Sequence, residues 1–173
     1  RNMLGVTQDE ADGFHIVEAC ALLKTFRKHD AMAVVKTWVN SWATSSRFHA
    51  AVQLPCLLGC IEGIDAQHHY VQCVHIRSIV DDLVTLPLPD PPVQRMGMHE
   101  PSVEILRTLS AVFSAYHAVR RSGFVLGLND SPLDSGCASA AHHIFADAFV
   151  SAAEDVCLPC RAARSFTSVF EIM

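Results

Sequence analysis

One short segment, with three cysteines and two adjacent histidines, constrains the fold more than any other feature of the chain. Its spacing is C-x3-C-x8-H-x3-C, formed by Cys56, Cys60, His69 and Cys73. Zinc prefers four thiolate or imidazole ligands in a tetrahedron. Gly59 permits the positive φ that a tight turn before Cys60 needs. The interval from His69 to Cys73 is one helical turn, so both side chains can face the same way. The spacing therefore predicts a zinc site.

Two alternatives to this assignment stay open from the sequence. His68 is a rival ligand, because it lies one position from His69. The three cysteines could also be ordinary buried thiols beside incidental histidines, since free cysteine is commonly buried. If all four groups do bind zinc, no position is left for water, so the spacing favours a structural rather than a catalytic metal.

Composition narrows the class of protein. The chain has 173 residues, of which half are hydrophobic, so it can bury a sizeable core. Its seven cysteines are odd in number and we expect no secretory signal before them, which favours metal ligation or buried thiols over a disulfide framework. No apolar run approaches the roughly 20 residues that span a bilayer. We expect an intracellular protein, nuclear or cytoplasmic, with no membrane partner.

Apolar periodicity predicts helices along most of the chain. We predict a first helix over 14–29 and a second that starts from an N-cap at Asp30 and whose apolar stripe ends at Trp42. Three more helices are predicted, over about 74–84, from Pro101 to about 121, and over about 138–156. No convincing strand alternation is present. The sequence therefore predicts an all-α fold with helical bundle-like packing and a small zinc-stapled loop module.

A proline cluster suggests a division of the chain. Four prolines lie between Pro87 and Pro92, a density that excludes helix and predicts a stiff, extended linker. We divide the chain into a helical N-terminal part, 1–86, with the cysteine-histidine module at about 52–73, a linker, 87–100, and a helical C-terminal part, 101–173. We expect the two helical parts to make limited contact.

The runs 42–49 and 54–60, followed by His69-Tyr70-x-x-Cys73, carry a resemblance to a known family. They resemble the cysteine-histidine (CCHC) region downstream of the reverse transcriptase domain in non-LTR retrotransposon-like open reading frames of protists. The match covers 42–73 and extends in part to 116–118 and 147–155. The resemblance implies an accessory nucleic-acid-binding module in a parent protein that includes an RNA-directed DNA polymerase. It also implies a zinc ligand set of Cys56, Cys60, His69 and Cys73.

The charge pattern does not by itself indicate nucleic-acid binding. Net charge is -5, and the segment 47–77 lacks the cationic excess that phosphate binding needs. Since all three lysines, Lys24, Lys28 and Lys36, lie in the first quarter, a nucleic-acid role must depend on the first fifty residues or on further sequence. The expected partners are RNA or DNA, or a polymerase domain of the parent protein, and the binding residues stay unassigned. The alternatives are a zinc-stabilised helical protein-protein interaction module and a decayed element without function.

No recognisable catalytic set is present, so we predict that the chain is not an enzyme. Val80-Asp81-Asp82 is faintly similar to the polymerase metal-binding turn, but Ile79 stands at the tyrosine position and a solvated helix face is the simpler interpretation. A second cysteine pair could form half of another metal site, or ordinary thiols at a helix end. The residues concerned are Cys157 and Cys160, with Cys137, His142 or His143, and we expect both histidines at the surface or its boundary.

Overall fold

The computed structural model describes residues 13–51, 53–86, 88–90, 92–122 and 135–159. Within these ranges the chain forms six α-helices, a short 3-10 helix and no strand, with one isolated β-bridge between Pro55 and Ile64. The helices are α1 (Ile16–Leu23), α2 (Lys28–Trp38), α3 (Gln67–Gln72), α4 (Val74–Leu83), α5 (Val103–Arg121) and α6 (Ser135–Asp155), and the 3-10 helix is Pro92–Met96. The predicted all-α fold is confirmed.

The first two helices differ from their predicted bounds. Helix α1 ends at Leu23, six residues before the predicted end. The predicted N-cap role of Asp30 is wrong, because α2 begins at Lys28 and Asp30 lies inside its first turn. There the buried carboxylate accepts a hydrogen bond of 2.9 Å from Arg27 Nε. An acidic group in the first turn is stabilised by the exposed N–H groups of the helix start, so Asp30 still favours this N-terminus.

Helix α2 ends at Trp38, so the predicted helical stripe does not continue to Trp42. Asn40 has a positive φ of 51°, a left-handed conformation that stops the helix. Trp42 returns toward the helix from a loop, and its Nε1 donates a 2.9 Å hydrogen bond to Thr37 Oγ1. The Trp42 ring packs on Tyr70 and Tyr116, with centroid separations of 5.9 and 4.7 Å. Trp42 is a core residue, but it enters the core from a loop.

One hydrophobic core includes residues from both sides of the proline cluster, so the expectation of limited contact is wrong. The core joins Trp42, the loop around Leu57 and the inner face of α4 to the inner faces of α5 and α6. Trp42 and the Phe113 ring meet edge to face at 5.8 Å. The physical reason is that each of these helices is apolar on one side, and burying that side requires its neighbours.

The proline-rich segment is held against this core by a buried arginine. Arg95 donates to the carbonyl oxygens of Pro89 and Val71, at 3.0 and 2.9 Å, and forms a 3.1 Å ion pair with Asp90. Its side chain is only 8 % exposed. Helix α5 then starts from Ser102, whose hydroxyl accepts a 3.1 Å hydrogen bond from the Ile105 N–H as an N-cap. None of the helices in the described ranges is both long and apolar enough to cross a bilayer.

Candidate metal centre

A closed loop presents the first two cysteines of the predicted site. Its ends are joined by two backbone hydrogen bonds of 2.8 Å, one from the Cys56 N–H to the Gly63 carbonyl and one from the Asp65 N–H to the Leu54 carbonyl. Inside the loop, the Gly59 N–H donates to the Cys56 carbonyl at 3.0 Å, and Gly59 has a φ of 83°. The predicted tight turn before Cys60 is therefore present, and it requires a residue that tolerates the left-handed region.

Helix α3 supplies the second pair of side chains. His69 lies on this helix, and Cys73 follows its last residue. The structure brings the ligand atoms of all four side chains within 4.8 Å of one another. The Sγ atoms of Cys60 and Cys73 lie 3.5 Å apart. The group contains His69 rather than its neighbour His68, so the register of α3 decides between the two histidines.

These four groups fit a tetrahedral zinc ion. With Zn–S distances of about 2.3 Å, the sulfur atoms of a tetrahedral site lie about 3.8 Å apart, close to the spacing of Cys60 and Cys73. His69 Nε2 is buried and has no hydrogen-bond partner among the described residues. A buried polar nitrogen without a partner is costly, and a metal ion would satisfy it. The donor set of three sulfurs and one nitrogen is typical of structural zinc.

Contacts among the four groups favour the thiolate form of two of the cysteines. A hydrogen bond from the Cys73 thiol lowers the pKa of Cys56 to about 4. The Cys73 contact likewise lowers the pKa of Cys60 to about 7. The same contacts raise the pKa of Cys73, and the proximity of Cys56 raises the pKa of His69. The negative charge is therefore concentrated on Cys56 and Cys60, in the thiolate form that binds a cation, and metal binding would displace the protons held by Cys73 and His69.

Gly63 has a role at this site that the sequence did not indicate. A β-carbon at this position would lie 2.5 Å from two atoms of the His69 ring and 2.7 Å from the Cys60 β-carbon. Such contacts are shorter than real structures tolerate, so any side chain here would displace two of the four candidate ligands. Gly63 is required for close packing of the loop against α3.

A buried carboxylate, which no sequence pattern predicts, joins the loop to the helical core. Asp65 has no exposed surface, and its Oδ2 accepts a 2.6 Å hydrogen bond from the Ser45 N–H. Its Oδ1 accepts from the hydroxyls of Tyr70 and Tyr116, at 2.9 and 3.0 Å. Arg120 on α5 lies 3.5 Å from Oδ2. A buried charge needs such partners, and these come from three separate parts of the chain.

The two tyrosines continue this network to the loop that carries the first two candidate ligands and to the Trp42 ring. The Tyr70 hydroxyl accepts a 3.2 Å hydrogen bond from the Leu57 N–H, which lies next to Cys56. The Tyr116 hydroxyl also lies 3.1 Å from the Ala43 carbonyl, so its single proton serves either that oxygen or Asp65. Burial and the nearby Asp65 carboxylate raise the pKa of both tyrosines, so both stay protonated donors.

His142 was expected near the surface, and this expectation is wrong. Its side chain is buried on α6, and Nε2 lies 2.8 Å from the Leu58 carbonyl in the turn between Cys56 and Cys60. Burial lowers the pKa of His142, so the ring is neutral and can donate to that carbonyl. Helix α6 thus supports the turn that carries the cysteines. His143 is exposed, as expected.

The structure does not assemble the other candidate sites from the residues that it describes. Cys137 and Cys157 join no group of potential metal ligands there, and Cys160 lies outside the described residues. Asp81 on α4 accepts a 3.0 Å hydrogen bond from the Leu88 N–H and lies 3.4 Å from Arg77 Nε. Its neighbour Asp82 is exposed, in agreement with a solvated helix face.

No protein family model matches the chain, and no curated protein or solved structure shows significant similarity to it.

Proposed function

We propose that the chain is a non-catalytic accessory module, with a structural zinc ion in its cysteine-histidine loop, that binds nucleic acid within a retroelement reverse-transcriptase-like protein. The observation that carries this proposal is the convergence of Cys56, Cys60, His69 and Cys73 within 4.8 Å. Three thiolates and one imidazole form a complete zinc coordination shell. A metal held in this way has no open position for water or substrate, so it supplies folding free energy rather than chemistry.

The surroundings of the four ligands support a structural role for the metal. His142 supports the first cysteine turn through the Leu58 carbonyl, and Tyr70 holds the Leu57 N–H. Zinc ligands in proteins are commonly positioned by such outer hydrogen bonds. Here these bonds lead to α6 and to the Asp65 network, so zinc binding would fix the loop against the helical core. Nucleic-acid binding is supported by the resemblance of 42–73 to the CCHC region.

A salt titration tests the binding part of this proposal. The zinc-loaded chain is mixed with fluorescently labelled single-stranded RNA or DNA, and affinity is measured by anisotropy at increasing salt. Binding through phosphates releases counterions, so log K should fall linearly with log salt concentration. Absence of binding at low salt, or an affinity that does not respond to salt, would contradict the nucleic-acid role.

A second candidate function, a zinc-stabilised protein-protein interaction module, is favoured by exposed apolar side chains in and beside the loop. Ile61 lies in the loop between the two ligand pairs and is fully exposed, while Phe48 and Val74 are 62 % and 66 % exposed. Contiguous exposed apolar patches mark partner interfaces, whereas apolar residues that are exposed singly are ordinary. A chain that fails to bind nucleic acid but copurifies with a polymerase domain of its parent protein would favour this alternative.

A further inference from the structure

A wide groove between α2 and α5 is lined by the same pattern on both helices. On α2 the lining residues recur at i, i+4 and i+8, and on α5 they do the same, so each helix presents one continuous face. The groove has a volume of about 870 Å³, and residues 41 and 43 contribute to its lining. The residues that matter here are Lys28, Met32, Lys36, Phe113, His117 and Arg121.

The charge of this groove is positive. Lys28, Lys36 and Arg121 are all exposed, and no aspartate or glutamate is among the described residues that line it. The acidic residue on α2, Asp30, is buried and pairs with Arg27 at 2.9 Å. Since no carboxylate in the lining balances these three cations, they attract polyanions even though the net charge of the chain is -5.

The His117 ring, which lines the groove from α5, is neutral. Burial, together with repulsion from Arg121 and Lys36, lowers its pKa to about 4. Its Nε2 is buried and has no hydrogen-bond partner in the described part of the chain. The groove therefore combines fixed cations at its rim with an uncharged interior.

We propose that this groove binds single-stranded nucleic acid, with Lys28, Lys36 and Arg121 at its phosphates and Phe113 against a base. This assignment depends on the proposed nucleic-acid-binding function and gives it a location away from the zinc loop. Eight residues separate the two lysines on α2, which places them about 12 Å apart along the helix. Phosphates recur about every 3.4 Å along a stacked strand, so these cations span several nucleotides.

The shape and chemistry of the groove favour a single strand over a duplex. A duplex is read by an element that projects into one of its grooves, whereas this surface is concave. Single strands bind in positively charged channels that also offer aromatic rings for base stacking. Phe113 is half-buried, and Lys36 Nζ lies 5.8 Å from its ring centroid, so a cation and an aromatic face meet in the middle of the groove.

The number of cations predicts the salt dependence. Each phosphate contact to a single strand contributes about -0.7 to the slope of log K against log salt concentration, so three contacts give about -2. Removing both lysines should therefore bring the slope to about -0.7. Replacing Phe113 by leucine should lower affinity by about tenfold with the slope unchanged, because stacking is not ionic.

The test measures the affinity of two doubly substituted chains for labelled oligouridylate and oligothymidylate. The two chains have equal net charge and are both zinc-loaded. One carries Lys28→Gln and Lys36→Gln in the groove, and the control carries Lys24→Gln and Arg47→Gln, two exposed cations outside it. All four side chains are exposed, so circular dichroism should show the helical content of the parent chain for both. We expect the salt dependence to become shallower only for the groove variant, with either oligonucleotide.

Three results would overturn the assignment. Equal losses in the two variants would mean that binding depends on net charge or on another face, while the nucleic-acid function would stand. Tighter binding of a duplex than of either single strand would exclude the concave groove as the site. Failure of the parent chain to bind any oligonucleotide at low salt would reject both the groove assignment and the proposed function.

Discussion

Substituting Asp65 by asparagine tests whether the buried network holds the loop to the helices. The amide keeps the shape of the carboxylate but loses its charge, and one oxygen becomes an NH2 group. That group cannot face the Ser45 N–H, which lies 2.6 Å from Oδ2, because both are donors. It must therefore face the hydroxyls of Tyr70 and Tyr116, which can reorient to accept. The variant loses both hydrogen bonds from tyrosine to a charged oxygen, and also the attraction of Arg120 at 3.5 Å.

The size of the loss follows from these contacts. A hydrogen bond to a charged group contributes about 1.5–3 kcal/mol, and removing one partner of a buried ion pair costs about 3–5 kcal/mol. These terms overlap, and the hydroxyls recover part of their bonding with the amide. We therefore expect Asp65→Asn to lower the free energy of unfolding by about 3 kcal/mol. This is a large part of the roughly 5–15 kcal/mol that stabilises an ordinary domain.

Urea unfolding followed by tryptophan fluorescence measures this loss. With a slope of about 2 kcal/mol per molar urea, the midpoint should fall by about 1.5 M. Asp82→Asn is the matched control, since it removes the same charge from an exposed position on α4. A double-mutant cycle with Tyr116→Phe should give a coupling of about 1 kcal/mol or more, because the two groups share a hydrogen bond. A midpoint shift for Asp65→Asn no larger than that of the control would refute the proposed role of the network.

Three further predictions concern the metal and the non-catalytic assignment. Gly63→Ala should weaken zinc affinity by about tenfold or more in a chelator competition, because the new β-carbon would lie 2.5 Å from the His69 ring. Gly97→Ala is the control, since its β-carbon would contact leucine and isoleucine side chains instead, and it should lower stability without changing zinc affinity. Removing zinc should loosen 53–73 in hydrogen exchange while circular dichroism keeps most of its helical signal, and loss of nearly all helix would mean that the metal holds the entire fold. The isolated chain should show no primer extension on an RNA template with magnesium or manganese, and extension abolished by substituting both aspartates of α4 would contradict the non-catalytic assignment.

The features of the fold and of the candidate site that the sequence predicts are those that depend on local spacing. The intervals between Cys56, Cys60, His69 and Cys73 identify a group that the structure does bring together, because a tight turn and a helical turn each fix a pair of side chains. The one-sided apolar patterns of α4, α5 and α6 likewise give their approximate bounds. Local periodicity also misled at Trp42, where the stripe continues past a helix that Asn40 has already ended.

The parts that could not be predicted depend on contacts between distant segments. Asp65 gave no pattern of its own, since its partners Ser45, Tyr70 and Tyr116 lie 5 to 51 residues away in the chain. Only one side of the cationic groove follows from the sequence, because two lysines eight residues apart share a face of α2. Its opposite face, with Arg121, exists only once α5 packs against α2. The proline cluster predicts a boundary, since its composition does not reveal that both sides share a core.

Metal content and coordination test the central claim most directly. Native mass spectrometry of the purified chain should show one zinc ion per chain, and the cobalt-substituted protein should show the visible absorption of a tetrahedral site with thiolate-to-metal charge transfer. Substituting Cys60, His69 or Cys73 should remove the metal or change that spectrum, whereas His68→Ala should leave both unchanged. A chain that binds no zinc, or whose cobalt spectrum is the same after these three substitutions, would contradict the account.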